Sequence, residues 1–249
     1  MKRIIKFIKQ LFSFKKNKGH LTIVGVGPGN PSLLTIEAVK VLKKSKIIFY
    51  PISSEDKTSY SAKIVKRYIK NKKQIPLIFP MGKKEYSSEE IWRNGADKIV
   101  SYINKKYSVA LLCLGDSSIY ASSTYIRDQI KEYYPQIRIN IIPGISSLSL
   151  AAAMGDFQLI KQGENLEILE CPDTSNELTK LIRSANKKVL VIMKVGKRWS
   201  WVKNVLTEEN ILQETLLASN LGMKNQFVGK ASEYFSEELP YFSILLLRL

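Results

Sequence analysis

LTIVGVGPGNPSLLTIEAVKVLKKSKIIFYP, residues Leu21–Pro51, decides how the chain is read. A short apolar run, a glycine-rich turn, an amphipathic segment and a second apolar run follow one another, which predicts strand, turn, helix, strand. Further along, a helix is expected around Ser61–Ile69, a strand at Gln74–Phe79, a helix at Ser88–Asn104 and a strongly apolar strand at Ser108–Leu114. A helix through Tyr120–Lys131 and the strand RINIIP complete a parallel α/β sheet with right-handed crossovers. Tyr133, Tyr134 and Pro135 interrupt the helical pattern, so a domain boundary is expected near residue 136. Beyond it, strands at Leu166–Leu169, Lys188–Met193, Thr215–Ala218 and Tyr241–Leu247, with helices over 174–184 and 198–206, predict a second α/β domain. The expected organisation is a basic leader over 1–20 and α/β domains over 21–136 and 137–249.

Gly25, Gly27 and Gly29 lie between a strand and a helix, where glycine permits positive φ and close approach of a ligand to the backbone. A dinucleotide fingerprint would need GxGxxG and an acid at the end of the next strand. That strand ends IIFYP, and Pro28 removes a backbone donor a pyrophosphate would use. No GK[ST] follows, which excludes a Walker phosphate loop. LCLGDSSIY at 112–120 and IIPGISSLS at 141–149 place two more glycine turns after strands. Turns at the carboxyl ends of parallel strands converge on the ligand crevice, so three of them point to a small-molecule pocket.

Composition narrows the classes. The 249 residues are 45% hydrophobic, enough for a real core. Cys113 and Cys171 lack metal spacing and the single histidine is His20, which disfavours a zinc site or disulfide framework and suits a reducing cytoplasm. No run reaches the roughly 18 apolar residues of a membrane span. The net charge of +17 raises polyanion binding as a rival reading. No zinc finger, stacking-aromatic motif or arginine-rich segment accompanies it, so nucleic acid is not the expected partner. Lys2, Arg3, Lys6, Lys9, Lys15, Lys16 and Lys18 fall in the leader without an acid. Ile4, Ile5, Ile8, Leu11 and Phe12 recur there near helical spacing, which allows contact with an anionic membrane, although a solvated Lys-rich segment is the simpler reading.

Taken in order, GVGPGNPSLLTIEAVKVLKKSKIIFYP, CLGDSSIY, IIPGISSLSLAAAMG and VLVIMKVGKR resemble the signatures of the tetrapyrrole methylases, over residues 21–248. IFPM with Pro80 and Met81, followed by Trp92 and Arg93, together with MKVGKR and PYFSILLL, resembles the precorrin-2 C(20) branch of cobalamin synthesis. The resemblance implies an S-adenosylmethionine-dependent C-methyltransferase, a homodimer, two α/β domains, and S-adenosyl-L-methionine bent in the cleft between them. Its cofactor contacts would be Pro28, Leu114, Gly115, Asp116, Ile119, Ser146, Ser147, Met193 and Lys194. Asp116 would either accept hydrogen bonds from the cofactor or fix its own turn. Asn30 and Ser117 stand where the family commonly has Asp and Pro. The implied substrate is a carboxylate-rich tetrapyrrole, precorrin-2 or cobalt-factor II, for which Lys194, Lys197 and Arg198 are candidate partners, a solvated charged face being the plainer reading of the last two. Displacement at a sulfonium methyl needs alignment more than an acid. No catalytic residue is singled out, and a base cannot be chosen among Glu164, Glu170, Asp173 and the tyrosines. Another branch of the family, or a diphthine synthase, is the alternative enzyme.

Overall fold

The computed structural model describes residues 19–79 and 88–249. Nearly all of the basic leader, and Pro80 and Met81 of the branch motif, lie outside the described residues. The chain divides into two units, one of Met1–Val24, Ile36–Cys113 and Tyr120–Ile142, the other of Gly25–Thr35, Leu114–Ile119 and Pro143–Leu249.

In the first unit the elements are β1 (His20–Gly25), α1 (Ile36–Lys44), β2 (Ile47–Ile52), α2 (Tyr60–Ile64), α3 (Lys66–Ile69), β3 (Lys73–Ile78), α4 (Ser88–Asn104), β4 (Ser108–Cys113), α5 (Ser123–Tyr133) and β5 (Ile139–Ile142). The sheet order is β3-β2-β4-β1-β5. β2 runs parallel to β3 and β4, and β1 parallel to β5. Strands buried on both faces need apolar residues at consecutive positions. β1 and β4 meet that need, with Ile23, Val24, Ala110, Leu111 and Leu112 all shut off from solvent. β3 instead alternates exposed and buried residues and contains Pro76, which an edge strand tolerates because one side needs no ladder donor. Trp92 packs between Phe79 and Tyr125, with ring centroids 4.5 and 4.9 Å away, while Arg93 binds Asp97 and lies over Tyr133.

Three expectations shift. Val65, at φ −98° and ψ 8°, divides the helix expected over Ser61–Ile69 into α2 and α3. Tyr120 has φ +47°, which no right-handed helix accepts, so α5 starts at Ser123 rather than at Tyr120. β5, which follows the boundary expected near residue 136, pairs with β1, and the first unit accordingly runs to Ile142.

The second unit continues with α6 (Ser147–Met154), β6 (Asn165–Glu170), α7 (Ser175–Arg183), β7 (Lys188–Met193), α8 (Trp199–Glu208), β8 (Leu216–Ser219), β9 (Phe227–Lys230) and β10 (Ser243–Arg248). Its order is β6-β7-β10-β8-β9, with β6 parallel to β7 and the other pairs antiparallel. Alternation along the strands builds two cores. Leu190, Ile192, Leu245 and Leu247 face α7 and α8 with Leu178, Trp199 and Val202, whereas Val191, Ile244 and Leu246 face α6 with Leu148 and Ala151. A reciprocal capping box starts α7: the Thr174 hydroxyl accepts the Glu177 N–H, and the Glu177 carboxylate accepts the Thr174 N–H.

Candidate functional site

The second unit gathers all three glycine turns. Gly27 N–H donates to the Gly115 carbonyl at 3.2 Å, and Gly115 N–H returns a bond to the Gly27 carbonyl at 2.9 Å, so the first two turns form a small antiparallel bridge. Gly27 and Gly115 hold φ +77° and +71°, values that β-carbon-bearing residues rarely adopt. The third turn lies against this bridge: a β-carbon on Gly144 would overlap the Gly115 carbonyl oxygen, and one on Gly25 would come 2.5 Å from the Gly144 nitrogen.

Asp116 ties the second turn to the third. Its Oδ1 accepts the Ser118 N–H at 2.8 Å and the Ser118 hydroxyl, and its Oδ2 accepts the Gly144 N–H at 2.9 Å. Burial pushes the carboxyl pKa up, but the hydrogen bonds from Ser118, Gly144 and Ser117 outweigh it and hold the group below the usual Asp value. Asp116 is therefore a fixed anion at neutral pH. Of the two roles open from sequence, fixing the turn is directly visible.

Beside Asp116 opens a cavity of about 560 Å³ lined by Leu33, Asp116, Ile119, Gly144, Ile145, Ser146, Ser149, Leu150 and Ala153. Ser146 caps α6, accepting the Ser149 N–H at 3.2 Å, and its hydroxyl lies 2.8 Å from that of Ser149. Among the described residues the lining combines aliphatic walls, two hydroxyls and one carboxylate, with no Lys or Arg. A pyrophosphate would find no cation among these described residues, whereas a cationic, partly apolar ligand finds a matched charge. A β-carbon added at Gly115 would meet nothing within 4 Å, so there is also open space over the second turn.

The nine residues taken from the motifs fall into distinct places. Asp116, Ile119 and Ser146 line the cavity. Pro28 is buried in the first turn, Leu114 and Gly115 begin the second, and Ser147 is the first residue of α6; none of the four is in the lining. Met193 ends β7, in register with Glu170 and Ile244, and Lys194 at φ +59° is ion-paired with Glu170. Arg198 is paired in turn with Asp173. Glu164 binds Arg248 and accepts the Lys161 N–H at 2.7 Å. All three carboxylates considered as bases thus hold cations already. Burial pushes the Cys171 thiol up to about 11, which leaves it protonated and poor as a nucleophile.

Sequence reading did not single out Leu33, Ile145, Ser149, Leu150 or Ala153. A signal was present: 146, 149, 150 and 153 fall at helical spacing and form one wall of α6. A fourth glycine turn also escaped notice. Gly222, at φ +68°, sits so close to the first turn that a β-carbon there would come 2.5 Å from the Asn30 nitrogen. Asn30 accepts the Ser32 N–H at 2.9 Å, so the turn retains its side-chain cap without an aspartate.

Comparison with known proteins adds an independent line. The family model for the Tetrapyrrole (Corrin/Porphyrin) Methylases matches residues 20–234. A probable cobalt-precorrin-2 C(20)-methyltransferase of Methanocaldococcus jannaschii is 29% identical over 229 residues, covering 90% of this chain and 94% of that protein. A precorrin-2 C(20)-methyltransferase of a Sinorhizobium species is 26% identical over 237 residues, covering 92% and 94%. Among solved structures, the methyltransferase CobJ superposes with a TM-score of 0.65 at 18% identity over 92% of this chain and 94% of its own, a likeness of fold.

Proposed function

The chain belongs to the tetrapyrrole (corrin/porphyrin) methylase family, and from that premise we propose that it transfers a methyl group from S-adenosyl-L-methionine to carbon 20 of precorrin-2 or cobalt-factor II. The observation that carries the reading is the cavity beside three interlocked glycine turns, with one fixed carboxylate and, among the described residues, no basic side chain in its lining. S-adenosylmethionine supplies an electrophilic methyl on a sulfonium cation. Residues fit such a ligand in three ways: the Asp116 anion balances positive charge, the Ser146 and Ser149 hydroxyls offer polar partners, and Leu33, Ile119, Ile145 and Leu150 exclude water. Pro28, Leu114, Gly115, Ser147, Met193 and Lys194 complete the proposed cofactor set on the strength of the family motifs.

Reaction at carbon requires the two partners to be held in line, and a rigid junction suits this, because loss of alignment costs rate directly. Asp116 contributes by locking Ser118 and Gly144 in place. Lys194, Lys197 and Arg198 are the proposed partners for substrate carboxylates. Lys194 and Arg198 would exchange Glu170 and Asp173 for them, an inexpensive step because exposed ion pairs contribute little. We place the enzyme in the cytoplasm as a homodimer, a setting that suits its two buried cysteines, Cys113 and Cys171. Anaerobic incubation with methyl-labelled S-adenosylmethionine and each tetrapyrrole tests the assignment. One methyl at carbon 20 is expected, and labelling of another position or of neither substrate would overturn it.

A further inference from the structure

The excess positive charge is confined to one unit. Its described residues hold 18 Lys and Arg against 8 Asp and Glu, whereas the second unit holds 12 against 13. A lysine-rich composition acting on the whole chain would fall on both, so the segregation calls for a cause in the first unit.

Within that unit the cations concentrate at one edge. In a parallel sheet every helix-to-strand turn lies at the amino ends of the strands. Lys70, Lys72 and Lys73 occupy the turn into β3, Lys43, Lys44 and Lys46 that into β2, Lys105 and Lys106 that into β4, and Arg138 that into β5. All but the half-buried Lys72 are exposed. Of the eight acids, Glu37, Glu55, Asp56, Glu89 and Glu90 lie toward the opposite edge, after strands or in the first turns of helices; Asp97 and Asp128 sit within helices and are paired with Arg93 and Arg127, and Glu132 lies in the last turn of α5. The turns are tied together: Lys72 Nζ donates to the carbonyls of Lys43 at 2.8 Å and Ser45 at 2.6 Å, Ser108 Oγ donates to the Lys44 carbonyl at 3.2 Å, and Leu21 N–H donates to the Arg138 carbonyl at 3.1 Å. Burial, reinforced by the nearby Lys46 charge, holds the Lys72 pKa below the ordinary lysine value.

Strand order sets the row as Lys70/72/73, Lys43/44/46, Lys105/106, the start of β1, then Arg138. Gly19, directly before β1, packs against the carbonyls of Ile103 and Tyr107. Five strands spaced ~4.8 Å apart give a row roughly 20 Å long. Tyr107 stands exposed in it, an amphipathic ring of the kind found at lipid headgroups.

We propose that the amino edge of the first sheet, from Lys70, Lys72 and Lys73 at β3 to Arg138 at β5, is a docking surface for an anionic lipid bilayer. A row of exposed lysines roughly 20 Å long, with the exposed Tyr107 in it, complements an anionic headgroup layer in charge and in its amphipathic ring. The surface is independent of the methyl-transfer reading, so either can fail alone.

The test is flotation of the full chain with vesicles of phosphatidylcholine alone or with about one-third phosphatidylglycerol, at rising salt. Binding is expected only with phosphatidylglycerol and should weaken as salt is added. A lysine near such a surface contributes about fivefold in affinity, so K43Q/K70Q/K105Q should bind roughly a hundredfold more weakly. K180Q/K203Q/K224Q in the neutral unit should bind as wild type, and both variants should keep the wild-type circular dichroism spectrum and melting temperature. Equal binding to neutral vesicles, an unchanged K43Q/K70Q/K105Q variant, or tighter binding of an RNA oligonucleotide than of anionic vesicles in the same buffer would each overturn the proposal.

Discussion

The two units use the same ingredients to different ends. The first is built on parallel strands, carries the surplus cations, and has a core of long aliphatic side chains around Leu21, Phe49, Leu111 and Ile126. The second is mixed in strand direction and balanced in charge, and it holds the cavity. Two of the glycine turns follow β1 and β4 in sequence yet cluster with the second unit. Strand pattern therefore identifies a unit's sheet, but side-chain and backbone contacts decide to which unit a turn belongs.

The sharpest way to break this comparison is Gly144→Val in the second unit. Its side chain has no room beside the Gly115 carbonyl and Gly25, so the turn junction must open. A stability loss of ~3 kcal/mol or more is expected, with loss of S-adenosylhomocysteine binding, read by thermal melting and titration calorimetry. Leu111→Ala, deep in the first core, should cost a similar ~3 kcal/mol but leave ligand affinity of the folded protein within twofold. Equal losses of affinity in the two variants would erase the distinction between a site unit and a scaffold unit.

Asp116→Asn sharpens it further. The amide retains one acceptor oxygen but cannot satisfy both turns, at ~1–3 kcal/mol by chemical denaturation. Because the folded pKa is lowered, the carboxylate's contribution is complete above the unfolded value near 3.8 and is lost as pH falls through the folded value. The gap between wild type and variant should thus be constant from neutral pH to about pH 5 and close only in stronger acid. Gly115→Ala comes next. Space is free, but φ +71° is unfavourable for alanine, so ~1–2 kcal/mol is expected in melting experiments. Asn30→Asp should be smallest, within ~0.5 kcal/mol, since either side chain can accept the Ser32 N–H.

Much of the first sheet was legible because buried parallel strands must be continuously apolar, as VALLC is in β4. The second sheet was harder. β10 returns from residue 243 to pair antiparallel with β7 and β8, a long-range choice that local pattern does not encode. β9 is four residues, three half-buried and Lys230 exposed, with Gly229 inside, too short for alternation to register. At the site, the glycine turns pointed to a pocket, while Asp116, Ile119 and Ser146, which line it, came from the family resemblance. Leu33, Leu150 and Ala153 were not readable, because an aliphatic residue facing a cavity looks in sequence like one facing a core.

Titration calorimetry of the wild-type protein with S-adenosylhomocysteine tests the central claim most directly, with Asp116→Asn and a nicotinamide dinucleotide alongside. The account predicts one saturable site per chain, weakened by Asp116→Asn, and no heat from the dinucleotide. Silence with S-adenosylhomocysteine, or saturable binding of the dinucleotide in its place, would contradict it.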